Sequence, residues 1–506
     1  MYLSKLGYVV KKESLTEDQI IKLEQDLKVI PLSDEKYNFN KNTDSSYLLY
    51  TKTINKFYIP KMYGINTFGQ PNSISKNFEG EIWKSEIPFC GTLLEHQLLP
   101  VEKLYNACVD KGGGILCLST GLGKTVSSLQ VLSRLKRKTI IIVNKIPLMK
   151  QWEQEITTFL PCARIGFLQG QKNINLQNKD IVIAMLQSLA RIDYPKSLLE
   201  DFGTCIVDEC HNLSSRVFSQ VLTKLCCKYT IGLSATPTRS DGCEFVFKYH
   251  LGDIVYKSNS ERKGLNPVLI IAKVKSKEYK QISTTNRFTG KEQIQFTSML
   301  TELTEMNNRN NFVINSVLEL LKLDDKRRIL ILSDRREHLK SLKSILDEKN
   351  SEYTNGLFVG QMKAKDLQTS MKSQIILATF QAFGEGVNVK ELDTLFLVTP
   401  KKFIGHLSNS TRNESGKLEQ IVGRIFRKEH LTKHPLIIDI YDTFSVYKNQ
   451  FSQRKVFYKQ HFKQLLIDEQ NIDLDNLENL YLNFKKGYTS DLDNLDLDNL
   501  DSCVIE

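Results

Sequence analysis

The segment LSTGLGKT (118–125) combines two glycines, a lysine and a threonine in an order that suits phosphate binding. Gly121 and Gly123 would let backbone N–H groups close around a β-phosphate, where side chains would intrude. Lys124 would reach the β- and γ-phosphates, and Thr125 would offer its hydroxyl to Mg²⁺. The strict phosphate-loop pattern has glycine at the first position; here it is Leu118, followed by Ser119 and Thr120 and, between the glycines, Leu122. A second segment, VDECH (207–211), places Asp208 to hold a metal and Glu209 to orient and deprotonate an attacking water. A third, QIVGRIFR (420–427), spaces Arg424 and Arg427 three residues apart, on one face if helical. Cations brought to a γ-phosphate in this way accelerate phosphoryl transfer by orders of magnitude. Two further segments, GLSATPTRSDG (232–242) and ATFQAFGEG (378–386), complete a series of five. Taken singly, each has a bland alternative: a glycine turn, a helix cap, a surface helix. Their common order is what gives them chemical meaning.

Such groups must be held at one edge of a rigid sheet. Short continuous apolar runs alternate with helical stretches: GILCL (114–118), TIIIV (139–143), IVIAM (181–185), TCIVD (204–208) and TIGLS (230–234). Runs of this kind suit parallel strands buried on both faces, whose carboxyl ends bind ligands. RILILS (328–333), IILAT (375–379), LFLVT (395–399) and LIIDI (436–440) form a second series. The expectation is α/β, with two tandem parallel-sheet domains. Before them, residues 1–86 read as an accessory module, opening with a capping-box helix at Thr16–Gln19 and continuing in aromatic-rich strands. Residues 87–255 and 312–445 are the two sheet domains, 256–311 a linker with an exposed polar stretch at 281–293. Residues 446–486 are a helical extension with a basic-aromatic run, FSQRKVFYKQHFK (451–463), and 487–506 an acidic low-complexity tail.

The chain has 506 residues and a formal net charge of +11. Residues 489–506 hold five Asp and one Glu with no Lys or Arg, so the rest carries +17. A basic body suits a polyanionic partner, although a lysine-rich proteome would produce the same balance. Ten cysteines are scattered without a C-x-x-C pair, which points away from a zinc ribbon or redox dithiol and toward reduced, buried thiols. Without a signal-like N-terminus or an apolar run of membrane length, the expectation is a soluble intracellular protein without a membrane partner.

On these motifs, residues 88–445 resemble superfamily 2 helicases with a D-E-x-H box. They are most similar to the poxvirus-type transcript-release DNA helicases and relatives in other large DNA viruses. SATPTRSDG (234–242) matches the S-A-T-P-x-R-x-D-G of repair and restriction helicases, and the flanks LGYVVKK, IPKMYG and DIYDTFSVYKNQFSQRKVFYK (439–459) are similar to those of the viral group. The resemblance implies two RecA-like domains, ATP and Mg²⁺ as cofactors, an ATP cleft between the domains, and a nucleic-acid track. It also implies residue roles. Gln97 in LLEHQ resembles the glutamine that reads adenine, with Leu94 and His96 replacing the usual Arg and Tyr. His211, Ser234, Ala235, Thr236, Gly386 and Gln420 resemble residues that couple ATP state to strand movement; Asn388 replaces the usual Asp after Glu385-Gly386. Gln187, Ser188 and Thr379 resemble phosphate-backbone contacts. Arg327-Arg328, Arg335-Arg336 and Lys401-Lys402 are candidates for the same track.

The implied activity is Mg²⁺-dependent ATP hydrolysis driving translocation or unwinding, on DNA first and RNA as the alternative, in viral transcription, replication or repair. Transcription machinery is an implied partner, and a viral chain would work in the host cytoplasm or virus factory and could enter the virion. A scaffold subunit without catalysis is the rival class, and the presence of Lys124, Glu209 and both arginines argues against it.

Overall fold

The computed structural model describes the chain apart from residues 31–45, 120, 172–173, 175, 215, 236–241, 259–263, 286–289, 291, 350–351, 384–388, 390, 402–417, 419–420, 427–429, 463–464, 477–479 and 486–506. Two compact units divide it, one over Met1–Asn259 and one over Ser260–Leu407 and Glu414–Glu506.

In the first unit, seven strands run parallel in the order Ile165–Leu168, Ile181–Met185, Thr139–Val143, Thr204–Asp208, Tyr229–Ser234, Gly113–Cys117, Ile254–Lys257. Successive side chains of a strand point to opposite faces, and here both faces are apolar. Leu116, Ile141, Ile206 and Ile231 pack on one side with Leu129 and Trp152. Ile115, Ile140, Val182 and Val207 pack on the other with Leu213, Val221 and Phe247. That double burial is why these strands read as unbroken apolar runs.

The second unit repeats the plan, with seven parallel strands in the order Asn355–Phe358, Ile375–Thr379, Ile329–Ser333, Thr394–Leu397, Leu436–Asp442, Val268–Lys275, Leu466–Asp473. Two of these strands correct the sequence expectations. Val268–Lys275 lies within the stretch expected to be a linker, yet it sits between two other strands and is almost entirely buried. Its VLIIA run carried the signal. Leu466–Asp473 lies in the expected helical extension, of which, among the described residues, only Ser445–His461 is helix. As an edge strand it buries little and alternates polar groups, and Lys275 pairs with its Asp473 at 3.0 Å, so no apolar periodicity advertises it. The polar stretch at 281–293 includes a mostly exposed antiparallel ribbon, Ser283–Thr285 against Glu292–Ile294.

The N-terminal residues build a five-stranded sheet, Thr51–Lys52, Lys56–Ile59, Gly7–Lys11, Tyr2–Ser4, Ser73–Ile74, antiparallel except for the last pair. Thr16 and Gln19 form the expected capping box at the head of helix Glu17–Asp26. The module is not a free-standing body. Its core of Tyr8, Val10, Leu23 and Phe57 is continuous with Cys226, Cys243 and Val246 of the first sheet domain. Lys61, fully enclosed, donates to the carbonyls of Gly112, Cys227 and Lys228 at 2.8, 3.0 and 2.9 Å.

Candidate active site

Strand Gly113–Cys117 ends in the glycine-bearing loop, and helix Lys124–Leu135 begins at the lysine. Gly121 and Gly123 have φ of +93° and +81°, a backbone region that glycine enters without steric cost. At Gly123 a Cβ would lie 2.0 Å from Nε2 of Gln97. Gln97 is itself buried: its Oε1 accepts the Leu94 N–H at 3.0 Å and its Nε2 donates to the Leu122 carbonyl at 3.4 Å. Gln97 therefore braces the loop. Ser119 donates its N–H to Ser258 Oγ at 3.1 Å, and their hydroxyls lie 3.2 Å apart. Lys124 donates its ammonium to the Leu118 carbonyl at 3.1 Å, within the loop it would serve. Thr125 occupies the first turn of the helix, beside Lys124. Thr120 lies outside the described residues.

Strands Gly113–Cys117 and Thr204–Asp208 flank Tyr229–Ser234, in register with Ser234 opposite Cys117 and Asp208 opposite Leu233. The sheet thus brings the ends of three motifs to one carboxyl edge. Asp208 accepts the Trp152 indole N–H at 2.9 Å and the Glu209 N–H at 3.0 Å. Burial, helped by the neighbouring Glu209 carboxylate, pushes Asp208 up to about 6, against the pull of Trp152 and Lys124. Two adjacent acids in a desolvated place, at the same carboxyl edge as the loop that leads to Thr125, are a donor set that suits a hard divalent cation. Glu209 itself adopts φ of +49°, a left-handed conformation rare for a residue with a Cβ. Asn212 holds that turn by donating both its backbone and side-chain N–H to the Glu209 carbonyl, each at 3.0 Å. Glu209 Oε2 lies 3.5 Å from His211 Nδ1, which in turn lies 3.2 Å from the buried Ser234 Oγ. A polar chain therefore joins VDECH to the SAT segment. Ala235 follows Ser234; Thr236 lies outside the described residues.

Helix Leu186–Arg191 starts from the carboxyl end of a neighbouring strand. On it, Gln187 donates to the Asn144 carbonyl at 2.8 Å, and Ser188 Oγ accepts the Gly170 N–H at 3.1 Å.

In the second unit, Thr379 ends strand Ile375–Thr379 and accepts the Ala382 N–H at 3.2 Å. Arg424 lies in the short 3-10 turn Gly423–Phe426, largely buried, with its guanidinium 5.2 Å from the Phe383 ring centre. Arg427, Gly386, Gln420 and Asn388 fall outside the described residues. One track candidate needs correction. Arg327 is fully buried, its guanidinium among Asp324, Asp393, the Thr394 hydroxyl and the His434 carbonyl, so it holds the fold together and faces no ligand. Arg328 pairs with Glu391 at 2.7 Å, and Lys401 pairs with Asp334 at 2.6 Å; Lys402 is outside the described residues. The basic-aromatic run 451–463 also turns inward: Arg454 is bound to buried Asp439, which accepts the Tyr458 hydroxyl at 2.8 Å.

Two site residues escaped the sequence reading, Trp152 and Ser258. Trp152 lies 56 residues before Asp208, and its role depends on helix Ile146–Phe159 packing against the sheet. No local pattern announces it.

Residues 91–239 match the family described as Type III restriction enzyme, res subunit, and residues 313–429 match the helicase conserved C-terminal domain. A protein of Acanthamoeba polyphaga mimivirus, provisionally named an ATP-dependent RNA helicase, is 30% identical over 466 residues, covering 90% of this chain and 85% of that one. A protein of Invertebrate iridescent virus 6 provisionally named a helicase is 27% identical, covering 77% and 87%. An African swine fever virus protein, again provisionally named an ATP-dependent RNA helicase, is 24% identical, covering 73% and 72%. Among solved structures, a fragment provisionally assigned as the HsdR subunit of a type I restriction enzyme from Vibrio vulnificus has the same fold. It superposes with a TM-score of 0.52 at 17% identity, over 77% of this chain and 70% of that one.

Proposed function

The chain belongs to the superfamily 2 helicases related to those of large DNA viruses, ATP-hydrolysing enzymes of nucleic acid, and from that premise we propose that it is a translocating motor on DNA. The observation that carries the catalytic reading is the single carboxyl edge holding Lys124, Asp208, Glu209 and Ser234. In this reading the loop N–H groups and Lys124 bind the ATP phosphates. Thr125 and Asp208 would hold Mg²⁺, which would supply neutralisation of phosphate charge. Glu209 orients water and takes its proton; the turn at Asn212 keeps its carboxylate aimed. Once the terminal phosphate has gone, the Glu209–His211–Ser234 chain relays the altered position of Glu209 toward the segment that follows Ser234. Arg424 and Arg427 supply positive charge to the terminal phosphate. Gln187, Ser188 and Thr379 contact the strand backbone, which positions a motor without reading sequence.

DNA is favoured as the track because residues 91–239 match a restriction-enzyme family. RNA is the second reading, favoured by the names given to the mimivirus and African swine fever virus relatives. The place of work proposed is viral transcription, replication or repair, in contact with transcription machinery. Steady-state ATP hydrolysis measured at low salt without nucleic acid, then with single-stranded DNA, duplex DNA and single-stranded RNA, tests both. Stimulation by DNA alone supports the reading; stimulation by RNA alone replaces it. Failure of every nucleic acid to stimulate hydrolysis defeats the motor. A strand-displacement assay on the stimulating nucleic acid then separates unwinding from translocation alone.

A further inference from the structure

A cleft of about 870 Å³ opens within the first unit, where the N-terminal sheet meets the domain that carries the phosphate loop. Neither Lys124 nor Asp208 lines it, nor does any other candidate site residue, although Leu189 shares the short helix of Gln187 and Ser188. Its volume is that of a ligand site. The floor is apolar, from Leu6, Leu189, Ile192 and Leu199, with Val221 and Leu225 beyond. Lysines dominate its charged rim. Lys5 is committed to the Phe202 carbonyl at 2.5 Å, and Lys224 to Asp193 at 2.6 Å. Lys76 and Lys196 are exposed and have no ion pair among the described residues. An occupant must therefore bring apolar side chains for the floor and carboxylates or phosphates for the two open ammonium groups.

One segment of this chain has that composition. Asp491-Leu-Asp-Asn-Leu-Asp-Leu-Asp-Asn-Leu-Asp501 interleaves four leucines with five aspartates and contains no basic residue. We propose that this tail, residues 489–506, docks in the cleft, its leucines on the apolar floor and its aspartates on Lys76 and Lys196. Exposed ion pairs contribute little singly. The contact is therefore a reversible one, sensitive to salt and displaced by stronger polyanions.

The test is fluorescence anisotropy of a labelled 489–506 peptide, titrated with the full chain whose own tail carries Asp→Asn at 491, 493, 496, 498 and 501. The expected result is saturable binding that weakens at least tenfold with added salt. The double substitution Lys76→Glu, Lys196→Glu, at exposed positions that leave the fold intact by circular dichroism, is expected to weaken it at least tenfold. So is a peptide with serine at its four leucines. The unaltered chain, whose own tail competes, is expected to bind the peptide several-fold more weakly. Binding indifferent to the lysine reversal, or no binding at all, overturns the proposal. So does a labelled oligonucleotide that binds in a Lys76- and Lys196-dependent way while the peptide does not, which would assign the cleft to nucleic acid. None of these readouts requires the helicase reading, so the two fail separately.

Discussion

Trp152 contributes its indole N–H to Asp208, one of two N–H donors that favour the charged carboxylate against burial and the Glu209 charge. Without it the carboxylate would keep its burial and its acidic neighbour while losing the bond that favours its charged form. Trp152→Phe keeps an aromatic ring in the core, though a smaller one, and removes the donor. The expected outcome is a rise of about tenfold or more in the Mg²⁺ concentration giving half-maximal ATP turnover, the size typical when a ligand loses its supporting hydrogen bond. A Mg²⁺ titration of the hydrolysis rate measures it. Lys124→Ala is expected to lower ATP turnover by at least about 100-fold, since it removes a cation at the developing phosphate charge. Among the described residues its ammonium donates only to the Leu118 carbonyl, so the melting temperature should stay within a few degrees of the parent. Retained turnover in a folded Lys124→Ala protein would remove the phosphate-loop assignment. The proposed roles of Lys124, Asp208 and Glu209 rest on residue type and spacing, because phosphate chemistry demands those groups next to glycine turns and strand ends. Trp152 and Ser258 were not legible in this way, since each reaches its partner only through folding.

At the level of elements, strand Tyr229–Ser234 matters most, because it separates the loop strand from the VDECH strand and sets their distance. Most apolar runs identified their strands within one or two residues, because double burial leaves no polar position to blur them. Edge strands such as Ile165–Leu168 and Leu466–Asp473 have one neighbour and solvent on the other side, so their sequences carry little pattern. Helix Lys61–Phe68 illustrates another limit. Its lysine is spent inside, where it satisfies three carbonyls of the adjoining domain and burial lowers its pKa. A lysine in a short aromatic segment reads as surface. Lys61→Met is expected to destabilise the first unit by about 3 kcal/mol, the scale of a lost charged hydrogen-bond donor among buried acceptors. Urea unfolding followed by tryptophan emission reads this, as Trp152 and Trp83 both lie in that unit.

For the whole molecule, buried histidines make stability depend on pH. Burial lowers His250 to about 4 and His338 to about 3, well under the usual 6.5. His338 is held neutral between Ser333 and Asn310, and His250 Nε2 has no hydrogen-bond partner among the described residues. Below pH 6.5 the unfolded chain takes up protons at these sites while the folded chain does not. Their contribution is therefore complete above pH 6.5 and shrinks as pH falls toward the folded values, by up to about 1.4 kcal/mol per pH unit for each histidine. Calorimetry at pH 7 and pH 5 should show both units losing stability in acid. His250→Phe should flatten the dependence in the first unit and leave the second unchanged.

Across these scales, sequence alone determined the α/β class and the pair of parallel sheets, and it supplied the motif residues proposed for the site. Those depend on apolar runs and on local residue order, which the chain carries wherever it folds. Among the described residues no helix is long and apolar enough to cross a membrane. Tertiary structure decided which charged groups face outward. Arg327, Arg454 and Lys61 are buried because carboxylates or carbonyls from distant segments meet them there, a pairing written in no local stretch. It likewise decided that the N-terminal module shares a core with the first sheet domain, since the apolar surface of Tyr8 and Phe57 is completed only by residues more than 150 positions later.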